Sequence, residues 1–127
     1  MQIYNYPNII PVGTVMNATI NSKAMQLQNL LFYCVQVVFT GTPTGSFKLQ
    51  GSCDNSATMT AAGQFPYAPV NWTDIPSSSQ DVTEAGSILL RDPAYYAEYN
   101  FVRVVYTDTS GGASTAVVTV STLNAKG

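Results

Sequence analysis

Apolar side chains recur along this chain at every second position far more often than at every third or fourth, and that period belongs to extended backbone. The densest run is 30–40 (LLFYCVQVVFT), rich in β-branched and aromatic residues. Within it Tyr33, Val35, Val37 and Phe39 form a more apolar set than Cys34, Gln36 and Thr40. Residues 47–53 alternate Phe47, Leu49 and Gly51 against Lys48, Gln50 and Ser52, the pattern of a half-buried strand. Between the two lies Thr42-Pro43-Thr44-Gly45, where proline presets one turn angle and glycine permits a positive φ. The pair therefore reads as a hairpin. Residues 99–107 (YNFVRVVYT) predict a further long strand, turned by Ser110-Gly111-Gly112 into 116–123 (AVVTVSTL), which returns antiparallel. Shorter strands are expected at 15–20, 72–75 and 87–91, with a long connection over 54–70.

Seven to eight short strands, punctuated by turns and without internal repeat, predict one all-β domain: an antiparallel β-sandwich or jelly roll over residues 15–127. Its expected core is Val35, Val37, Phe39, Leu49, Trp72, Val102, Val104 and Val118. Trp72, near Ile75, is expected to plug that core or its rim. Residues 1–14 carry Tyr4, Tyr6, Pro7 and Pro11, and the prolines exclude a regular central strand. They read as an extended arm, lying over a neighbour or along its own surface.

Strand parity also orients the two cysteines. With both apolar sets facing the core, Cys53 points inward and Cys34 outward, so the pair is expected to remain unbridged.

Charge is the compositional oddity. Only 9% of the 127 residues are charged, against a typical quarter, while Ser, Thr, Asn and Gln supply 41. Neutral polar groups cost less to desolvate than ions, so such surfaces press together cheaply. A net charge of −2 also repels other copies only weakly. The sheet edges gain little protection from so few charges, which predicts association with itself or with another protein. Lys23, Lys48, Arg91, Arg103 and Lys126 are scattered, so no basic stripe exists for nucleic acid. The start, MQIYNYPNII, lacks a secretory pattern, and 30–35 is too short an apolar run to cross a bilayer. No membrane partner is expected.

Candidate chemistry is thin. Histidine is absent, which removes the commonest general base and the imidazole metal ligand. Two thiols without histidine build no ordinary zinc site, and no glycine-rich phosphate cradle is present. Catalytic, cofactor and metal residues are accordingly none, and no enzyme activity is expected. Asp54-Asn55-Ser56 has oxygens suited to Ca²⁺, but the same residues favour turns, the reading preferred here. Arg103, inside an apolar strand, is expected to find a structural partner such as Asp74 or Glu98, or else a solvated face. Eight tyrosines point to contact surfaces, since the ring buries area while the hydroxyl still hydrogen-bonds. Tyr4, Tyr6, Pro7 and Pro11 of the arm, Tyr67 in the long connection, and Tyr95 and Tyr96 after Pro93 are the candidate interface.

Four strings carry a resemblance: VVFTGTPTGSFKLQGS at 37–52, NWTDIPSSS at 71–79, FVRVVYTDTSG at 101–111 and LNAKG at 123–127. Together they are similar to a pattern in small bacteriophage virion proteins, and the similarity covers about residues 31–127. The Ala- and Pro-rich stretch before Trp72 is longer than in that pattern. The resemblance implies a β-sandwich in a virion setting, assembled in the host cytoplasm, with no catalytic residues to carry over. Three roles follow. The chain is a head decoration or cement protein bound to capsid subunits or to itself, a minor spike or tail module reading a host glycan, or a free carbohydrate-binding module. Glycan reading calls for a concave aromatic groove; cement calls for broad neutral surfaces. Low charge and the proline-rich arm favour cement.

Overall fold

The structure is a computed structural model that describes residues 2–4, 9–11, 13–26, 30–54, 69–90 and 100–126. Among them eleven strands follow one another: β1 (Gln2–Tyr4), β2 (Thr14–Val15), β3 (Ile20–Asn21), β4 (Met25–Gln26), β5 (Leu30–Phe39), β6 (Gly45–Ser52), β7 (Thr73–Asp74), β8 (Gln80–Val82), β9 (Gly86–Leu90), β10 (Phe101–Asp108) and β11 (Val117–Lys126). Six of these are two or three residues long, too short for alternation to reveal them, so the count exceeds the seven to eight read from the sequence.

The strands make an antiparallel β-sandwich. The first sheet runs β1-β11-β5-β9, with β2 also on β11. The second runs β3-β10-β6-β7, with β4 also on β10 and β8 on β6. Alternation assigns the inner faces. Val35, Val37 and Phe39 point inward from β5, opposite Leu90, Ile88 and Gly86 of β9. Phe47 and Leu49 of β6 face them from the other sheet, beside Val102, Val104 and Tyr106 of β10. Phe39 stacks on Phe47 with centroids 6.1 Å apart, and Phe47 meets Tyr106 at 4.9 Å. This aromatic column ties one sheet to the other through the middle of the core.

Both expected hairpins are corrected. β5 and β6 do not pair: β5 lies between β11 and β9, while β6 lies against β10, β7 and β8. Likewise β10 and β11 belong to different sheets. Each turn reverses the chain by arching from one sheet to the other. The two arches run side by side. The Thr40 amide donates to the Val117 carbonyl at 3.0 Å, and the Thr109 amide donates to the Thr44 carbonyl at 2.9 Å. An inward apolar set on each strand suits an arch as well as a hairpin, so alternation alone leaves the pairing open.

Gly45 enforces the tight start of β6. A Cβ there would sit 2.6 Å from the Tyr106 hydroxyl and 2.8 Å from its ring carbon Cε1. That hydroxyl donates to the Thr44 carbonyl at 3.0 Å, so the buried tyrosine holds the arch as well as the core.

Three smaller expectations change. The strand read at 15–20 is interrupted: β2 pairs with β11 in the first sheet and β3 with β10 in the second. Cys53 is exposed, because Gly51 and Ser52 are both buried and break the alternation just before it. No disulfide joins it to half-buried Cys34 in the other sheet. Trp72 is half-buried and absent from the core cluster, so its place among the core residues is corrected and it takes the other position expected for it, the rim.

The first fourteen residues enter the domain at several points. Gln2–Tyr4 pairs with β11, and Ile9 and Ile10 are buried in the core. The Ile9 carbonyl accepts the Lys23 amide at 2.8 Å.

Candidate functional site: the two outer sheet faces

Residues that point away from the core form two surfaces of opposite character. On the first sheet, β5 turns Cys34, Gln36 and Val38 outward, β9 contributes Ser87 and Leu89, β11 contributes Val117 and Thr119, and β2 adds Val15. The register aligns them in rows. Thr119, Val38 and Ser87 are neighbours across three strands, Gln36 lies beside Leu89, and Val117 beside Val15. Val38 is 43% exposed, Leu89 48% and Val15 42%. None of these eight outward side chains is an aspartate, glutamate, lysine or arginine.

The second sheet gathers the charges. Arg103, Gln50 and Asp74 form one row across β10, β6 and β7, with Lys48 two residues along β6 and Asp81 opposite Ser46. The row is wired in one direction. Lys48 Nζ donates to Asp74 Oδ2 at 3.0 Å, Gln50 Nε2 donates to Asp74 Oδ1 at 2.8 Å, and Arg103 Nε donates to Gln50 Oε1 at 2.8 Å. The Arg103 guanidinium also lies 4.5 Å from the centroid of the Trp72 ring, a cation–π contact. Trp72 Nε1 donates to the Pro69 carbonyl at 3.2 Å. The partner expected for Arg103 was an acid; it is Gln50, with Asp74 one strand further on, and Glu98 lies outside the described residues. With Arg103 over one face of its ring, the single tryptophan does not offer that face to a sugar.

The Asp74 carboxyl is held below its usual range by the Gln50 amide first and by Lys48 second. A depressed carboxyl stabilises the fold above its ordinary value of 3.8 and loses that contribution as pH falls through its lower folded value. The pair is exposed and screened, so the effect is small. In thermal melts below about pH 4 the wild type should lose more stability than Asp74→Asn, and equal losses would show that the carboxylate contributes nothing. Partial burial pulls the Arg103 guanidinium down, but it starts so high that it stays charged.

Asp54 is a structural clamp. Its Oδ2 accepts the amides of Val70 at 2.7 Å and Asn71 at 2.9 Å, and its Oδ1 accepts Asn71 Nδ2 at 3.0 Å. Both oxygens therefore already take N–H donors, and these come from a distant stretch of chain rather than from the local turn expected at 54–56. Among the described residues no group of three or more His, Cys, Asp or Glu side chains comes together. No described helix is long and apolar enough to cross a membrane.

Of the candidate interface, Tyr6, Pro7, Tyr67, Tyr95 and Tyr96 lie outside the described residues. The Tyr4 backbone pairs with Asn124, and Pro11 is exposed with its carbonyl accepting from the Thr14 amide and hydroxyl. The neutral face was not singled out from the sequence. Its signal was present in Val38, an apolar residue on the polar parity of β5, and in the SILL run of β9, apolar on both parities.

No protein-family model and no curated protein sequence matches the chain. Among solved structures, PirA is similar over 97% of this chain and 91% of its own, at 14% identity and a TM-score of 0.50. The SPBc2 prophage-derived protein YomS is similar over 97% and 92%, at 11% identity and a TM-score of 0.49. Tobacco streak virus coat protein is similar over 98% and 86%, at 8% identity and a TM-score of 0.47. At 14% identity the likeness to PirA is one of fold. That fold, an all-β antiparallel sandwich, is the class to which the chain belongs.

Proposed function

We propose that the chain is a bacteriophage virion structural protein without catalytic activity, a head decoration or cement protein whose first sheet docks on capsid subunits. The observation that carries this reading is the outer face of that sheet. It presents Val38, Leu89, Val15, Val117 and neutral polar neighbours, with no charge among its described side chains. Such a face loses little on desolvation and gains the burial of its aliphatic groups. Low overall charge and the phage-type strings in the sequence support the same setting. Tyr4 and Pro11 of the N-terminal segment, together with Tyr6, Pro7, Tyr67, Tyr95 and Tyr96, are proposed to extend the contact.

The test is co-sedimentation with purified particles of the phage, followed by electron microscopy to count copies on the head. Replacing Val38 and Leu89 together by lysine should weaken binding by about a hundredfold, because two ammonium groups would be desolvated without partners. Thermal stability should hardly change, since both positions face solvent. Wild-type protein that ignores particles would end the proposal; a few copies at the tail instead of many on the head would replace cement with an attachment role.

A further inference from the structure

We propose that Arg103 is a docking point for a carboxylate of a partner protein, an aspartate or glutamate side chain that lands on the outer face of the second sheet. The proposal uses the opposite face from the one assigned to the capsid and does not depend on the virion reading.

Two contacts hold the guanidinium. Nε donates to Gln50 Oε1 at 2.8 Å, and Cζ lies 4.5 Å from the centroid of the Trp72 ring. Neither contact neutralises its charge. The neighbouring acid, Asp74, accepts instead from Gln50 Nε2 and Lys48 Nζ. That arrangement also sets the polarity of the row. Because the Gln50 amide nitrogen faces Asp74, its oxygen must face Arg103, so the guanidinium meets a dipole rather than an ion. Among the described residues its two terminal nitrogens have no acceptor and no carboxylate pairs with it.

Arg103 is half-buried, and desolvating a guanidinium without an ion of opposite charge is unfavourable. Here the side chain is oriented for a partner that none of the described residues supplies. With Nε engaged, the terminal nitrogens remain as a fork that matches the two oxygens of a carboxylate. The surroundings fit a protein surface better than a free acid. Arg103, Gln50 and Asp74 come from three adjacent strands and present their groups in one row of a sheet, whereas small ligands are taken into concave sites. Lys48, Asp74 and Asp81 on the same face supply alternating charge for matching another surface.

Trp72 is the only tryptophan of the chain, so its emission reports directly on the group stacked over it. Intact protein at low salt is titrated with a glutamate-rich peptide, a glutamine-rich peptide of the same length, and glucuronate. A saturable change in Trp72 emission with the acidic peptide alone, abolished by salt, is expected. It should vanish in Arg103→Gln and weaken about tenfold in Arg103→Lys, which keeps the charge and the stem over the ring but loses the fork. An equal response to the glutamine peptide, or an unchanged response in folded Arg103→Gln, overturns the site. A response to glucuronate without one to the acidic peptide overturns the protein partner. The peptide and salt comparisons on the wild type decide the matter even if Arg103→Gln fails to fold.

Discussion

Replacing Phe47 by alanine should cost the fold about 3–5 kcal/mol and lower its melting temperature on the order of 10–20 °C. The ring is fully buried and stands between Phe39 of the first sheet and Tyr106 of the second. Its loss removes the transfer free energy of a benzyl group and leaves a void that neither sheet can close without breaking its own ladder. The neighbours also lose aromatic contacts worth about 0.5–1.5 kcal/mol each beyond the area they bury. Denaturant melts of Phe47→Ala and Val38→Ala make the comparison, since Val38 lies at the same depth along the sandwich but on its outside. A Phe47→Ala midpoint close to that of Val38→Ala would mean that the two sheets are not held together through this column.

Removing the Asp54 carboxylate should be nearly as damaging, and for a different reason. In Asp54→Ala the amides of Val70 and Asn71 and the Asn71 side chain all lose their acceptor in a site where Asp54 itself is only 6% exposed. A buried donor left unmade costs about 1–3 kcal/mol; these bonds are part-buried and Val70 and Asn71 are exposed, so water recovers part of the loss and a total of about 2–3 kcal/mol is expected. Asp54→Asn should recover little. One of its two positions becomes an NH₂ group, and if that replaces Oδ2 it faces two donors. Hydrogen exchange locates the effect: the Val70 and Asn71 amides should lose protection in both variants while β5 and β11 keep theirs. Uniform loss across all strands, or none at Val70, would show that the clamp is not where the chain is secured.

The site was only half legible from sequence. Arg103 stood out because a charge in FVRVVY is conspicuous, but its tie to Gln50 joins residues 53 positions apart, and nothing local specifies that partner. The Asp74 end of the row was legible only as one acid among seven. The neutral outer face was missed for a related reason. Low total charge is a property of composition, whereas its confinement to one side of the sandwich depends on which strands share a sheet.

The identity of the four longest strands came from the sequence alone. β5, β6, β10 and β11 follow from a two-residue period in β-branched and aromatic residues, because backbone geometry by itself puts alternate side chains on opposite faces. The all-β class and the inward parity of Val35, Val37, Leu49, Val102, Val104 and Val118 rest on the same local cause. Partner choice did not. A reversal at Thr42-Pro43-Thr44-Gly45 closes a hairpin or an arch with the same residues, and only the joint packing of β5 with β11 and β6 with β10 selects the arch. That selection is a tertiary event: the aromatic column and the paired crossings exist only once both sheets are in place, so no short stretch of chain can encode it.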